Sequence, residues 1–392
     1  MHDSFKYSDA DFQFLAEKPV MLPQPPNPIM PISAPIRVGV VGLGRMGIIH
    51  ALHIHELAQE SHLCTLAAVS TMERSRADLF LGMSGAVAPV FETIQELEAS
   101  GLCDVTIIAT NTELHREHAL LMIRQGHRVF LEKPLTGTLQ GDRSFASELE
   151  QQYPHALMLG FQRRFDQPLL TVRNLIREGR IGRVFKVYSA LEDSSPAPDG
   201  FQSPGILPDM GIHNVDEVLW LTGRTPKAAM VIGSRIFSHQ HTTCQEDFDD
   251  ALMVLDFGDE LTAHIQVSRN HVSGYRGETV IYGEKGQIHI GRFCKQPHEV
   301  LLEVYGAQTT SQPPETTMFP MRRYDKALPE FIGRFGDAYK QELRTFLQCC
   351  RDAKVFPVTH LDALRAQEVV AGAMRGVVTG KDMTAIDYLG IP

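Results

Sequence analysis

The stretch from Val38 to Gly47 reads Val-Gly-Val-Val-Gly-Leu-Gly-Arg-Met-Gly. An apolar strand, Val38 to Val41, runs into three glycines and then into Ile48-Ile49-His50-Ala51-Leu52, a helix-forming run without a breaker. That order suits a dinucleotide. Gly42 permits a tight turn, Gly44 lets the backbone approach a pyrophosphate, and Gly47 lets the helix pack close to the strand with its N-terminus aimed at the anion. A lone glycine turn of this spacing is weak evidence; the strand before it and the helix after it supply the required context. Gly42, Leu43, Gly44, Arg45, Met46 and Gly47 are therefore candidate cofactor contacts.

Outward from this turn the pattern is βαβ. Short apolar runs at Arg37–Val41, Cys64–Val69, Val87–Phe91, Val105–Ala109, Val129–Leu131 and Ala156–Gly160 predict strands. Amphipathic stretches between them, such as Leu114–Arg124, predict helices. Strands alternating with helices imply a parallel sheet covered on both faces. After Arg164 the pattern changes. A helix over Leu169–Glu178 leads to a long strand, Arg183–Leu191, then a loop from Asp193 to Pro208 and a helix near Met210–Leu221. Extended runs follow in succession at Ala228–Phe237, Ala251–Phe257, Thr262–Ser268, Glu278–Tyr282, Gln287–Ile290 and Val300–Tyr305. Strands without intervening helices predict a broad, mainly antiparallel open sheet. Its uncovered face is a candidate oligomer surface. Residues 307–330 read as loop, and helices near Ala338–Arg351 and Asp362–Val378 close the chain. The expected fold class is α/β. A proline-rich arm occupies residues 1–35, a nucleotide-binding domain 36–160 and a second α/β domain 161–392, whose last helices are candidates for packing back on the first.

The bulk properties narrow the partners. The 392-residue chain has a net charge of −10 and no basic block to offset it, which disfavours nucleic acid and anionic membrane surfaces. No apolar run is long enough to span a bilayer. The acidic start, with Asp3, Asp9 and Asp11, does not read as a secretory signal. Six cysteines show no paired spacing, so the chain reads as reduced and cytoplasmic, without structural zinc. His239, His241 and Cys244 lack a second ligand pair and read as a polar loop. Seven prolines between Pro19 and Pro35 exclude a helix there; an extended arm and a disordered tail remain open.

Four places carry candidate chemistry. The second strand ends in Ser70-Thr71, where an acid would hold the ribose 2′-hydroxyl of NAD; Arg74 and Arg76 follow within a turn and suit a 2′-phosphate, which leans to NADP over NAD. A solvated helix face explains either arginine alone equally well, and Glu73 complicates the reading. The fourth strand ends in Thr110 and Asn111, with His115 beyond; strand C-termini are where open α/β sheets bind ligands, although Thr and Asn there also serve as helix caps. The fifth ends in Glu132-Lys133-Pro134, which sets Lys133 at the strand edge, where an ordinary surface lysine is an equal reading. Finally, Asp209 and His213 lie four apart at the start of a helix, where a carboxylate can fix an imidazole tautomer. An N-cap aspartate and a buried histidine fit that spacing as well.

Together these residues resemble the glucose–fructose oxidoreductase / inositol dehydrogenase (GFO/IDH/MocA) family. The resemblance rests on Gly-Leu-Gly-Arg-Met-Gly at 42–47, Glu132-Lys133-Pro134, the run Gly160-Phe161-Gln162-Arg163-Arg164-Phe165, and Asp209 with His213. It covers nearly all the chain but the arm. It implies a Rossmann domain and an α/β domain with a large open sheet, bound NADP or NAD, a sugar or polyol substrate, and a homodimer or homotetramer. By the resemblance Lys133, Asp209 and His213 are catalytic, Glu132 lies at the cofactor, and Arg163, Gln162 and Tyr275 lie near the substrate. Leu191-Glu192-Asp193 departs from the His-x-Asn of inositol dehydrogenases, which puts inositol itself in doubt. Two alternatives stand beside the dehydrogenase: a non-catalytic regulatory binding protein of the same fold, and an NAD-dependent glycosidase.

Overall fold

A computed structural model describes residues 30–194, 204–235, 247–258, 260–292, 299–306, 313–321, 330–379 and 383–390. These residues fall into two compact units. Among the described residues the first is built from the segments within 30–162 and 338–364, and the second from those within 163–337 and 365–390.

The first unit alternates strand and helix: β1 (Ile36–Val41), α1 (Arg45–Glu60), β2 (Cys64–Ser70), α2 (Arg74–Ser84), β3 (Val90–Phe91), α3 (Ile94–Ala99), β4 (Val105–Ile108), α4 (His115–Arg124), β5 (Arg128–Glu132), α5 (Leu139–Gln152) and β6 (Leu157–Gly160). The strands pair in the order β3-β2-β1-β4-β5-β6, all parallel, with Val41 opposite both Ser70 and Ile108. β4 and β5 are buried at every residue, so their apolar runs are continuous rather than alternating. The chain reverses direction between β2-β1 and β4-β5, and in an open α/β sheet such a reversal opens a crevice at the strand C-termini. β3 is shorter than the run Val87–Phe91 predicts; Val87 is 96% exposed and contributes no strand.

The second unit comprises α6 (Gln167–Arg177), β7 (Val184–Glu192), a wide helical turn at Leu207–Gly211, α7 (Ile212–Thr222), β8 (Ala228–Ser234), β9 (Asp250–Asp256), β10 (Thr262–Ser268), β11 (Arg276–Gly283), β12 (Gly286–Ile290), β13 (Glu299–Gly306), β14 (Glu315–Pro320), the start of α8 (Glu330–Arg351), most of α9 (His360–Thr379) and β15 (Thr384–Ala385). The nine strands pair in the order β14-β13-β12-β11-β7-β10-β9-β8-β15. β7 and β10 are parallel; every other neighbouring pair is antiparallel. α7 packs against β7 and β10, and its residues from Ile212 to Leu221 are all buried. β9 and β10 alternate buried and half-buried residues, as a sheet covered on one face requires. The reading of 307–330 as loop is corrected by β14: its Thr-Thr-Met-Phe is β-prone, but five of its six residues are exposed, so no buried alternation marks it. α8 also begins earlier than Ala338, at Glu330.

Residues 338–364 complete the first unit. The Phe346 and Phe356 rings stack at 5.3 Å, and Phe130 of β5 meets Phe346 edge-on at 5.9 Å. Arg128 lies 3.7 Å over the Phe356 ring and donates to the carbonyls of Cys349 and Lys354, each at 2.7 Å. Of the proline-rich arm, residues 1–29 lie outside the described residues, as do His239, His241 and Cys244. Ile32 donates its backbone N–H to the Cys350 carbonyl. Cys64, Cys103, Cys349 and Cys350 are unpaired and buried. Among the described residues no helix is long and apolar enough to cross a membrane.

Candidate functional site

The glycine turn is built as its spacing requires. Gly42 has φ +86°, and a Cβ there would lie 2.6 Å from the Ala109 carbonyl oxygen. A Cβ on Gly47 would lie 1.6 Å from the Gly42 oxygen, so only glycine lets α1 sit this close to the turn. Gly44 differs. It has ordinary extended backbone, φ −70° and ψ −166°, and a Cβ there would meet nothing within 4 Å. Gly44 is also the N-cap of α1, whose first turn has no side-chain cap and no acidic residue. Uncapped N–H groups beside open space fit a pyrophosphate.

At the end of β2 the Ser70 side chain is buried, 2% exposed, and its carbonyl accepts from Gly42 N–H at 2.8 Å. The first polar side chain of this turn that reaches solvent is therefore Thr71, whose hydroxyl accepts from the Glu73 N–H at 3.2 Å. Arg74 pairs with Asp78 at 3.1 Å and Arg76 with Glu73 at 2.7 Å, all four side chains being exposed.

Beyond β4, Asn111 is the N-cap of a short turn but makes no side-chain cap bond. His115 is buried with Nδ1 2.7 Å from the Pro134 carbonyl and Nε2 3.2 Å from the Thr110 carbonyl. Burial lowers its pKa despite these acceptors, so a neutral ring donates through one nitrogen, and the shorter distance favours Nδ1. His115 thus ties the β4 end to the loop after β5. Thr110 shares a 3.2 Å hydrogen bond with His118. Lys133 is half-buried at the C-terminal end of β5, and its N–H donates to its neighbour Glu132 at 3.1 Å.

In the second unit His213 is buried on the first turn of α7. Asp209 lies in the wide turn before it, which runs directly into α7. The alternative of Asp209 as an N-cap is corrected, because Gly211 holds that position for α7 and Ile206 for the wide turn. Asp209 instead faces Arg269 at the end of β10, at 3.4 Å. Arg163 donates to Glu217 at 2.6 Å, and Arg164 grips Asp216 with bonds of 2.6 and 3.0 Å. Ser189 and Thr279 also donate to Glu217, and Asn214 donates to Ser189 at 2.8 Å. Arg334 grips Asp166 at 2.7 and 2.8 Å. Tyr275 is half-buried as a residue, and burial of its hydroxyl pushes the phenol pKa up. Gln162 is buried.

The structure therefore brings together residues that spacing did not single out. Asp216 and Glu217 directly follow the Asp209–His213 element, and the Arg163-Arg164 pair anchors both, fixing the helix that carries His213. Two adjacent arginines matched to two adjacent acids was the available signal. Arg269 carried none. Glu192, in the segment that departs from the inositol dehydrogenase pattern, is paired with Arg276 at 3.1 Å.

Comparison with known proteins agrees with this architecture. Residues 36–160 match the oxidoreductase family with an NAD-binding Rossmann fold, and residues 169–289 match the GFO/IDH/MocA C-terminal domain. The scyllo-inositol 2-dehydrogenase (NAD(+)) of Bacillus subtilis strain 168 is 28% identical over 347 residues, 88% of this chain and 95% of that protein. The inositol 2-dehydrogenase of Rhizobium meliloti strain 1021 is 26% identical over 352 residues, covering 89% and 99%. Among solved structures, a putative myo-inositol dehydrogenase from Sinorhizobium meliloti 1021 superposes with a TM-score of 0.73 at 25% identity, covering 90% of this chain and all of that one. A Lactobacillus casei myo-inositol dehydrogenase, solved with NAD(H) and myo-inositol, shares the fold at a TM-score of 0.72 and 20% identity, covering 91% and 98%. With both halves matched in order, the chain belongs to the GFO/IDH/MocA family of oxidoreductases.

Proposed function

We propose that this enzyme moves hydride between a nicotinamide dinucleotide and a secondary alcohol of a cyclic polyol or sugar. The observation that carries the cofactor half is the open face of Gly44 over the uncapped start of α1. The substrate class rests on the inositol dehydrogenases among the relatives. The dinucleotide, when bound, supplies the hydride acceptor; the chain supplies proton handling and charge. In the proposed roles His213 takes the hydroxyl proton and returns it in the reverse direction. The Lys133 ammonium holds the reacting oxygen and stabilises developing alkoxide charge. Asp209, steadied by Arg269, binds a substrate hydroxyl or orients His213. Arg163 acts through Glu217 on α7, while Gln162 and Tyr275 remain candidate substrate contacts.

Two observations bear on the dinucleotide. Arg74 and Arg76 are each held by an acid, and the Bacillus relative is named for NAD(+), which favours NAD. NADP is the second reading, supported by the absence of an acid at Ser70 and Thr71; exposed pairs worth about 0–1 kcal/mol yield easily to a 2′-phosphate. Assembly into a homodimer or homotetramer is proposed on the half-exposed face of the second sheet, where Phe185 and Ile232 are exposed. The testing experiment is a panel of inositols, sugars and open-chain polyols, each with NAD and with NADP, followed by nicotinamide absorbance. Turnover of any of these alcohols supports the proposal. No reduction with either dinucleotide removes it and favours a regulatory binding protein, and cleavage of a glycoside without net reduction favours the glycosidase.

A further inference from the structure

A second buried cluster lies in the first unit, behind the strand that ends in Lys133. His50 of α1 is fully buried, and its Nε2 is 2.6 Å from a Glu132 oxygen. The other Glu132 oxygen accepts from the Lys133 N–H. Glu342 of α8 is also fully buried, and neither of its oxygens has a hydrogen-bond partner. One ligand atom from each of the three residues lies within 4.8 Å of the others. Phe130 and Tyr339 close the cluster edge-on against the imidazole, at 5.4 and 6.1 Å. We propose that His50, Glu132 and Glu342 are positioning residues for Lys133, a buried triad in which Glu342 carries a proton beside the His50–Glu132 pair that fixes the end of β5. The inference rests on the catalytic reading of Lys133.

The chemistry follows from what each group can carry. An ionised carboxylate without partners in an apolar shell is strongly disfavoured, so Glu342 takes a proton. Burial, and then the negative charge of Glu132, both raise its pKa. Burial also penalises an ionised Glu132, but the bond and charge of His50, together with Lys133, outweigh that and keep it an anion. One neutral acid, one anion and one imidazole able to share its proton leave a cluster that can hold the Lys133 backbone without net repulsion. A metal ion is the competing occupant of a His–Glu–Glu set. Two ligands at zinc bond lengths of about 2.0–2.2 Å stand roughly 3.4 Å apart in a tetrahedron. The observed 2.6 Å contact of His50 with Glu132 is a hydrogen bond instead.

The test compares the full-length wild type with Glu342→Gln, which keeps a neutral donor but cannot ionise. Melting is followed from pH 6 to 9. A folded-state pKa above the unfolded value means that folding retains a proton which the unfolded chain has released, so wild-type stability falls as pH rises. The variant lacks that proton, and its Tm should vary less with pH. In the same preparations the alkaline limb of kcat should move up by about one pH unit or more in the variant, a tenfold change in proton concentration. Parallel melting profiles overturn the retained proton on Glu342. One equivalent of metal in the wild type, lost in the variant, overturns it in favour of a metal site. A flattened melting profile with an unmoved kcat limb leaves the triad structural and overturns the positioning role. Should the variant not fold, infrared spectroscopy of the wild type at pH 6, above the ordinary carboxyl range, decides: a protonated-carboxyl band is expected, and its absence overturns the proposal. A wild type that turns over no alcohol removes the catalytic reading of Lys133 and the positioning role with it, while the melting profile still reports the proton.

Discussion

Replacing Gly47 by alanine, with Gly44→Ala as its partner experiment, separates what the glycine turn does for the fold from what it does for the cofactor. The Gly47 methyl would arrive 1.6 Å from the Gly42 carbonyl oxygen and 2.8 Å from its carbon. Restoring an ordinary contact requires α1 and the turn to part by about 1.8 Å. The obstacle is backbone, which cannot rotate aside as a side chain does. Overpacking costs about 1–3 kcal/mol, and a backbone obstacle places Gly47→Ala at the upper end. For a domain of ~150–250 residues that is a fall in Tm of about 6–12 °C. Gly44→Ala meets open space in an allowed conformation and loses only the modest N-cap preference of glycine, under about 1 kcal/mol. Its methyl instead stands where the pyrophosphate would approach. Dinucleotide affinity should fall tenfold or more, about 1.4 kcal/mol, while Tm shifts by no more than about 3 °C. Thermal melts and a titration of the reduced dinucleotide by fluorescence measure both. A Gly47→Ala protein as stable as wild type, or a Gly44→Ala protein that binds as tightly, would refute the reasoning.

Four further outcomes are expected. His213→Ala should lower kcat by about 10²–10⁴ with dinucleotide affinity kept, as stopped-flow and binding titrations will show; full activity would remove the assigned base. Arg163→Ala should destabilise the protein by about 3–5 kcal/mol in denaturant melts, because it strands Glu217, 1% exposed, without its cation. Arg37→Ala, at a half-exposed pair with Asp104, should cost only about 0.5–1 kcal/mol at pH 7. Burial raises the Asp104 pKa but the Arg37 bonds lower it further, so this contribution is present above the ordinary carboxylate pKa and is lost as the pH falls through the folded value; melts at pH 7 and pH 3 should show the gap narrow. Arg74→Ala should raise KM for NADP roughly tenfold and leave KM for NAD alone if the second cofactor reading holds; equal effects in steady-state kinetics would discard it.

The first sheet was legible because each of its features is local. Buried parallel strands are short apolar runs, and the glycine turn places its three special residues within six positions. The second sheet was legible as a succession of strands, but β14 escaped because five of its six residues face water and leave no buried alternation. The candidate site was legible where adjacency in sequence survives folding, as at Glu132-Lys133. It was not legible where a partner comes from far along the chain. Arg269 meets Asp209 from 60 residues away, and Glu342 lies 210 residues beyond Glu132. The wide turn at Leu207–Gly211 escaped for a different reason: sequence spacing does not distinguish a wide helical turn from the α-helix it leads into.

The stacking of Phe346 and Phe356 on the β5 layer sets an order of events during synthesis. The strands of the first unit are complete once residue 162 has been made, but the segment that covers Phe130 and engages Arg128 arrives about 200 residues later. Until then the nascent sheet carries an uncovered aromatic face and, in Arg128, a guanidinium without its C-terminal carbonyls. Growth of residues 163–337 of the second unit is interposed between the making of that face and its covering. A fragment stopping at residue 162 would keep the glycine turn yet remain in this uncovered state, prone to chaperone capture or association, and release comes only when the ribosome has delivered α8 and the segment through Leu364.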